Sequence, residues 1–262
     1  MSESRSPAGS RLPDLLPKAG TRVAVAGGCG GIGRAFVEAA VMAGLDVAVL
    51  DLPRMLDRGP PAGAAGIACD ATNEASVRDA FAEVDTRWGG LDALVNLVGF
   101  TNERVPIEAM AASEWDEIMG GTLRSAFLVC RSAIPLLRRA GGGAIVNTAS
   151  TFGVRVPHAG YGPYATAKAG IINLTRALAT ECAPAIRVNA LAPGLVDTAF
   201  LKGGSGRPEK KQTMDPEAFG RTVPLARTGR PEDMAGPLLF LIGPAAGYIT
   251  AQTLHVNGGL WS

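Results

Sequence analysis

The chain has 262 residues, 47% hydrophobic and 19% charged, with a formal charge of +1. That length can bury one large core. So balanced a charge excludes the electrostatic footprint of a nucleic-acid binder or of a protein held on an acidic membrane surface. No apolar run reaches the length of a membrane span, and no leader is expected. Four cysteines (Cys29, Cys69, Cys130 and Cys182) form no CxxC pair, and two histidines are too few to complete a metal site with them. A reduced cytoplasmic protein without structural metal is expected. Residues 1–20 are rich in Ser, Pro, Gly and Arg and read as a flexible arm, in which Leu12, Leu15 and Leu16 could pack locally.

From residue 21 short apolar runs alternate with longer amphipathic ones. RVAVA (22–26), a glycine cluster and IGRAFVEAAVMAG (32–44) predict strand, tight turn and helix. DVAVL (46–50) and GIAC (66–69) predict the second and third strands. NEASVRDAFAEVDTRWG (73–89) has helical spacing, and LDALVNLV (91–98) is the fourth strand. One long helix is predicted over 113–140, then the strand AIVNTAS (144–150), a helix over 163–183 and the strand IRVNALAPG (186–194). Residues 231–242 are helical and TLHVNGG (253–259) closes the chain. This alternation predicts an α/β, three-layer, doubly wound Rossmann fold, a mostly parallel sheet of about seven strands with helices on both faces. Residues 21–262 form a single domain, and ligands are expected beyond the carboxyl ends of the strands.

The first strand runs into AGGCGGIGR (26–34), where Gly27, Gly31 and Gly33 fit G-x-x-x-G-x-G ahead of a helix that starts at Ile32. Such a turn lets backbone approach a pyrophosphate at the helix N-terminus. Asp51 follows the second strand, eighteen residues past Gly33. A carboxylate there accepts from ribose hydroxyls and repels a 2′-phosphate, so NAD is favoured over NADP, although Arg34 and Arg54 lie nearby. Asp70, followed by Ala71, closes the third strand, where it reaches an adenine or serves as a turn aspartate.

Five motifs occur in order: AGGCGGIG, NLVG (96–99), NTAS (147–150), YATAK (164–168) and NALAPG (189–194), with GRPED and ITAQTLHVNGG towards the end. Together they resemble the short-chain dehydrogenase/reductase family, in its single-domain branch, over about residues 20–260. The resemblance implies an NAD-dependent oxidoreductase that interconverts a secondary alcohol and a ketone. It implies Ser150, Tyr164 and Lys168 as catalytic residues, with Lys168 also on the nicotinamide ribose. Asn96, Gly99, Asn189, Pro193, Gly194 and Thr198 would surround the cofactor, Thr198 doubling as a helix cap. Thr151 is an alternative donor to Ser150, which stands one residue further from the tyrosine than the family usually has it. Thr122 stands where the family carries the asparagine of a proton relay. A homotetramer built through the helices around 113–138 and 164–182 and through the C-terminal strand is also implied. An acyl-carrier-protein ketoreductase using NADPH and a catalytically silent dinucleotide sensor are the rival readings.

The choice between the two nearby tyrosines has a physical basis of its own. Pro163 suits the first turn of a helix, so Tyr164 and Lys168, four apart, share a face, while Tyr161 has Ala165 at the same offset. An ammonium about 5 Å from a phenol at an effective dielectric near 20 favours the phenolate by roughly 3 kcal/mol, about two pK units. Tyr164 is therefore the expected acid/base, acidified by Lys168. A loop over about 195–225 is expected to close on substrate. Phe100, Phe152, Val154, Val156, Tyr161, Leu195, Phe200 and Met214 are candidate pocket walls, suiting a hydrophobic or cyclic substrate. Arg155 and His158 are the nearby groups that would favour an anion.

Overall fold

The computed structural model describes residues 14–204 and 215–261. Seven strands, all paired in parallel, form one sheet: β1 (Arg22–Ala26), β2 (Asp46–Asp51), β3 (Ala65–Ala68), β4 (Ala93–Asn96), β5 (Gly143–Thr148), β6 (Ile186–Pro193) and β7 (Thr253–Val256). Their spatial order is β3-β2-β1-β4-β5-β6-β7. The order therefore reverses between β1 and β4, and the crevice at that switch point is where such sheets take ligands.

Helices cover both faces. On one, α1 (Gly31–Met42) and α8 (Glu232–Ile242) bring Phe36, Val37 and Leu238 onto Val23, Val25, Val47 and Val49. On the other, α3 (Glu74–Trp88), α5 (Ser125–Arg139) and α6 (Gly162–Cys182) bring Phe81, Leu128, Leu137 and Leu178 onto Ala24, Leu50, Leu94 and Ile145. Burial on both sides is why these strands read as continuous apolar runs. Shorter helices α2 (Pro53–Leu56), α4 (Ala112–Met119) and α7 (Pro216–Gly220) complete the helical set described. Asn73 caps α3 by accepting from the amides of Ala75 and Ser76, and Gly89 ends that helix in the left-handed conformation.

The predicted helix over 113–140 is not continuous. A π-helical turn, Gly120–Arg124, separates α4 from α5. Two adjacent glycines weaken the helix there, and the ring of Phe100 presses so close that a Cβ on Gly121 would lie 2.1 Å from it. Thr122 thus sits in a π turn, fully buried, its hydroxyl donating to the Phe100 carbonyl at 3.4 Å. At the N-terminus, Leu15 and Leu16 are exposed rather than packed, while most of the expected arm, Leu12 included, lies outside the described residues.

A buried polar knot joins strands and helices under the crevice. The amide of Asn147 (β5) donates to the Thr175 hydroxyl, while its oxygen accepts from the Asn96 amide and from the Cys130 thiol. Asn96 in turn accepts from the Val98 amide at 3.2 Å.

Candidate active site

The carboxyl ends of β1, β2, β3, β4, β5 and β6 open into one cleft of about 1020 Å³. Its lining includes Gly27, Gly31, Ile32, Gly33, Asp51, Asp70, Ala71, Gly99, Ser150, Tyr164, Lys168, Pro193, Gly194 and Thr198. Sequence-predicted residues that follow six strands thus converge on one space.

At one end the glycine turn is closed to side chains at Gly27 and Gly33. A Cβ on Gly33 would lie 2.4 Å from the Gly27 carbonyl oxygen, and Gly27 has φ +80°. Helix α1 then begins at Gly31 with no side-chain cap on its first amides. A bare helix start behind a turn that lines the cleft with Gly27, Gly30, Gly31 and Gly33 suits an anionic diphosphate. Asp51 lies against the same turn: its carboxylate accepts from the Cys29 amide at 2.9 Å and from the Leu52 amide at 2.8 Å. Burial raises its carboxyl above the ordinary carboxylate range, and those two amides oppose the rise. Arg34 is turned to the Gly59 carbonyl at 2.7 Å. The Asp70 carboxylate accepts from the amide and hydroxyl of Thr72, so it acts as a turn aspartate that also faces the cleft. These residues fit a nicotinamide dinucleotide.

At the other end stands the Ser150, Tyr164 and Lys168 group. Tyr161 caps α6 and Pro163 occupies its first turn, which sets Tyr164 and Lys168 on one face. Tyr164 is 8% and Lys168 3% exposed. Ser150, at the start of a short 3₁₀ turn (Thr151–Gly153), hydrogen-bonds the phenol and also accepts from the Phe152 amide. Lys168 Nζ donates to the Thr148 carbonyl at 2.7 Å and lies 5.8 Å from the Tyr164 ring centre. The expected acidification of the phenol is reversed: burial pushes Tyr164 up to about 12, the Ser150 hydrogen bond opposing it, and pushes Lys168 down to about 7. Two ionisable groups placed together away from water each shift towards their neutral form. Attraction across a wet dielectric is outweighed here by that desolvation cost.

Several expectations are corrected. Asn96 and Thr122 are buried and do not line the cleft: Asn96 belongs to the polar knot, and Thr122 lies behind Gly99, whose Cβ position is 3.3 Å from Lys168 Nζ and 3.6 Å from the Thr122 hydroxyl. Asn189 lies within β6, not beyond it, and its amide holds the Ile249 carbonyl and the Gln252 amide. Val154 and Val156 point to solvent, 61% and 54% exposed, because the turn after Gly153 swings outwards. Arg155 lies outside the lining, its guanidinium over the Trp261 ring. Met214 lies outside the described residues, as does much of the predicted substrate loop. Phe100, Phe152, Tyr161, Leu195, Phe200 and His158 do line the cleft. Thr198 caps its own 3₁₀ turn (Ala199–Lys202) through the Phe200 amide, with its methyl against Gly31.

Trp261 and Arg104 are among the lining residues missed from sequence. Trp261 follows β7, and the rule that sites lie past strand ends already pointed to it. Arg104, in the loop TNERVP, carries no sequence signal; only its tertiary contact with Tyr161 reveals it.

The family model described as enoyl-(acyl carrier protein) reductase matches residues 27–261. A sorbitol dehydrogenase of Cereibacter sphaeroides is 36% identical over 92% of this chain and 98% of its own. A 3-oxoacyl-acyl-carrier-protein reductase of Aquifex aeolicus is 32% identical over 90% of this chain and 96% of its own. Among solved structures, a short-chain dehydrogenase/reductase of Brucella melitensis superposes with a TM-score of 0.84 at 29% identity, covering 95% of this chain and 100% of its own. A cleft built at the switch point of a parallel sheet, with Ser, Tyr and Lys at one end and a glycine turn at the other, agrees with these matches, and the chain belongs to the short-chain dehydrogenase/reductase family of oxidoreductases.

Proposed function

We propose that this chain is an NAD-dependent oxidoreductase that interconverts a secondary alcohol and a ketone. The observation that carries the reading is the meeting of Ser150, Tyr164 and Lys168, all nearly buried, in the cleft that the glycine turn and Asp51 close at its far end. A bound nicotinamide supplies the hydride donor or acceptor. In reduction, Ser150 donates to the carbonyl oxygen, and Tyr164, a neutral phenol at physiological pH, gives its proton to that oxygen as it becomes an alkoxide. In oxidation the phenolate takes the alcohol proton. Lys168, held by the Thr148 carbonyl, positions a cation beside the phenol when protonated and offers a hydrogen bond when neutral.

Asp51 favours NAD, since its carboxylate would face a 2′-phosphate and Arg34 is held away by Gly59. The same carboxylate weighs against an NADPH-dependent acyl-carrier-protein ketoreductase, although relatives of that name are similar in sequence. The silent-sensor reading rests on Thr122 alone. A cytoplasmic setting accords with four free, buried cysteines, and no helix among the described residues is long and apolar enough to cross a membrane. Assembly as a homotetramer accords with the 44% exposed Phe127 on α5.

The test is a panel of secondary alcohols with NAD, assayed on the wild type and on Tyr164→Phe. NADH formation that disappears in the variant while NAD still binds is the expected result. Full turnover by Tyr164→Phe overturns the assignment.

A further inference from the structure

The cleft contains an arginine that the chemistry above does not use. Arg104 lines the substrate end, in the loop between β4 and α4. Its guanidinium carbon sits 4.9 Å from the centre of the Tyr161 ring, and its Nε donates to the Tyr161 hydroxyl at 3.0 Å. Among the described residues no carboxylate forms an ion pair with it, whereas Arg22, Arg78, Arg131, Arg139 and Arg227 each have one. Neighbouring Glu103 also faces the cleft but does not pair with it, and Glu117 is hydrogen-bonded by the Asn102 amide. The two terminal nitrogens of Arg104 therefore keep their donors, on a head fixed through Nε.

The backbone beneath Arg104 is equally fixed. Gly160 has φ +86°, and a Cβ there would lie 2.7 Å from Arg104 Cβ and 3.0 Å from its Cα and carbonyl carbon. The loop carrying Arg104 is thus seated on the turn that leads into α6 and Tyr161. Between Arg104 and the reacting phenol stand aromatic rings inclined to one another: Tyr161 lies 6.5 Å from Tyr164 and, edge to face, 4.6 Å from Phe152, and Phe200 lies 5.8 Å from Tyr164. The imidazole of His158 lines the same end. An aromatic wall ending in an exposed guanidinium that is oriented by Tyr161 and has no carboxylate partner among the described residues fits a substrate of matching polarity.

Building on the alcohol–ketone reading, we propose that Arg104, oriented by Tyr161, is a specificity-determining residue that binds an anionic group of the substrate. The substrate class is a ring-bearing or otherwise apolar secondary alcohol or ketone with a carboxylate or comparable anion remote from the carbinol carbon. Arg104 touches neither the carbonyl nor the proton in flight; it selects what reaches them.

The test uses the full chain with NADH and a series of aryl methyl ketones whose ring carries a carboxylate at varied positions, each beside its neutral carboxamide twin. We expect at least one acid to exceed its amide in kcat/KM by roughly 10- to 100-fold. That preference should vanish in Arg104→Gln, chiefly through KM, should fall at high salt, and should be partly kept by Arg104→Lys. Gly160→Ala, which unseats the loop without touching the guanidinium, should weaken the preference as well. Tyr164-dependent turnover of amides with no preference for acids, or a preference untouched by Arg104→Gln, overturns the inference and leaves the oxidoreductase reading standing. If no ketone turns over, calorimetric titration of the acids decides. Binding lost in Arg104→Gln supports the anion site while the catalytic reading fails, and no Arg104-dependent binding overturns both.

Discussion

Lys168 and Tyr164 share one face of α6, with the lysine nitrogen 5.8 Å from the centre of the phenol ring and 2.7 Å from the Thr148 carbonyl. Burial lowers the lysine to about 7 from an ordinary value of 10.5. Between those values the unfolded chain holds a proton that the folded chain has released, so stability rises with pH across that window. Below it both states are charged and the burial penalty is felt in full. Tyr164, raised from 10.0 to about 12, acts only above that range, where the unfolded chain loses its phenol proton first and stability falls. The melting temperature of the wild type relative to Lys168→Met should therefore climb between about pH 7 and 10. A difference that stays flat would show that the ammonium is solvated rather than buried.

The same two shifts set the pH dependence of turnover. Ketone reduction needs a protonated phenol, which Tyr164 supplies throughout the neutral range. Alcohol oxidation needs the phenolate, so its kcat/KM at saturating NAD should rise with pH from neutrality until the phenol is titrated, while reduction stays level. An oxidation profile independent of pH from neutral to alkaline would remove Tyr164 from the proton transfer.

Asp51 ties the glycine turn to β2 through the Cys29 amide at 2.9 Å. Asp51→Asn keeps an oxygen for that amide and removes the charge. NAD affinity should fall modestly, NADP affinity should rise, and the ratio of the two should change by about tenfold or more, a charge effect of roughly 1.4 kcal/mol. Fluorescence titration with both reduced cofactors measures it. A wild type that prefers NADPH would sink the cofactor assignment at once.

The contrast between what the chain announced and what it hid follows from the range of the interactions involved. RVAVA, DVAVL and AIVNT read as strands because the flanking helices cover both their faces, and Gly33 reads as functional because its constraint, Gly27, is six residues away. Tyr164 and Lys168 were legible because one helical turn joins them. The π turn was not legible: its cause is Phe100, packed on Gly121 from a different loop. Arg104 was hidden for the same reason, its meaning residing in Tyr161, and Val154 was misplaced because an outward turn leaves no mark on composition. The reversed shift of Tyr164 was out of reach too, since helix spacing gives a distance but not the water around it.

Asn147 is fully buried, and its side chain meets Asn96, Cys130 and Thr175. Asn147→Ala would orphan the Asn96 amide and the Thr175 hydroxyl in a region closed to water. A loss of about 2–4 kcal/mol in unfolding free energy is expected, read from denaturant midpoints, with the m-value unchanged. A loss below about 1 kcal/mol would mean that the knot relaxes onto other partners.

Gly121 and Phe100 form a complementary pair, since the ring occupies the volume where a side chain on residue 121 would stand. Gly121→Val forces the ring aside, and because Phe100 both lines the cleft and receives the Thr122 hydrogen bond on its carbonyl, that shift reaches the floor behind Gly99 and Lys168. Gly121→Val should therefore lower stability by about 1–3 kcal/mol and reduce kcat/KM. Phe100→Ala, which opens a void instead, should also be destabilising. Combined, the void of one accepts the methyls of the other, so the double variant should be more stable than the sum of the single losses allows, with a coupling of about 1 kcal/mol or more. Strict additivity in that cycle would show that the ring and the π turn do not press on one another in solution.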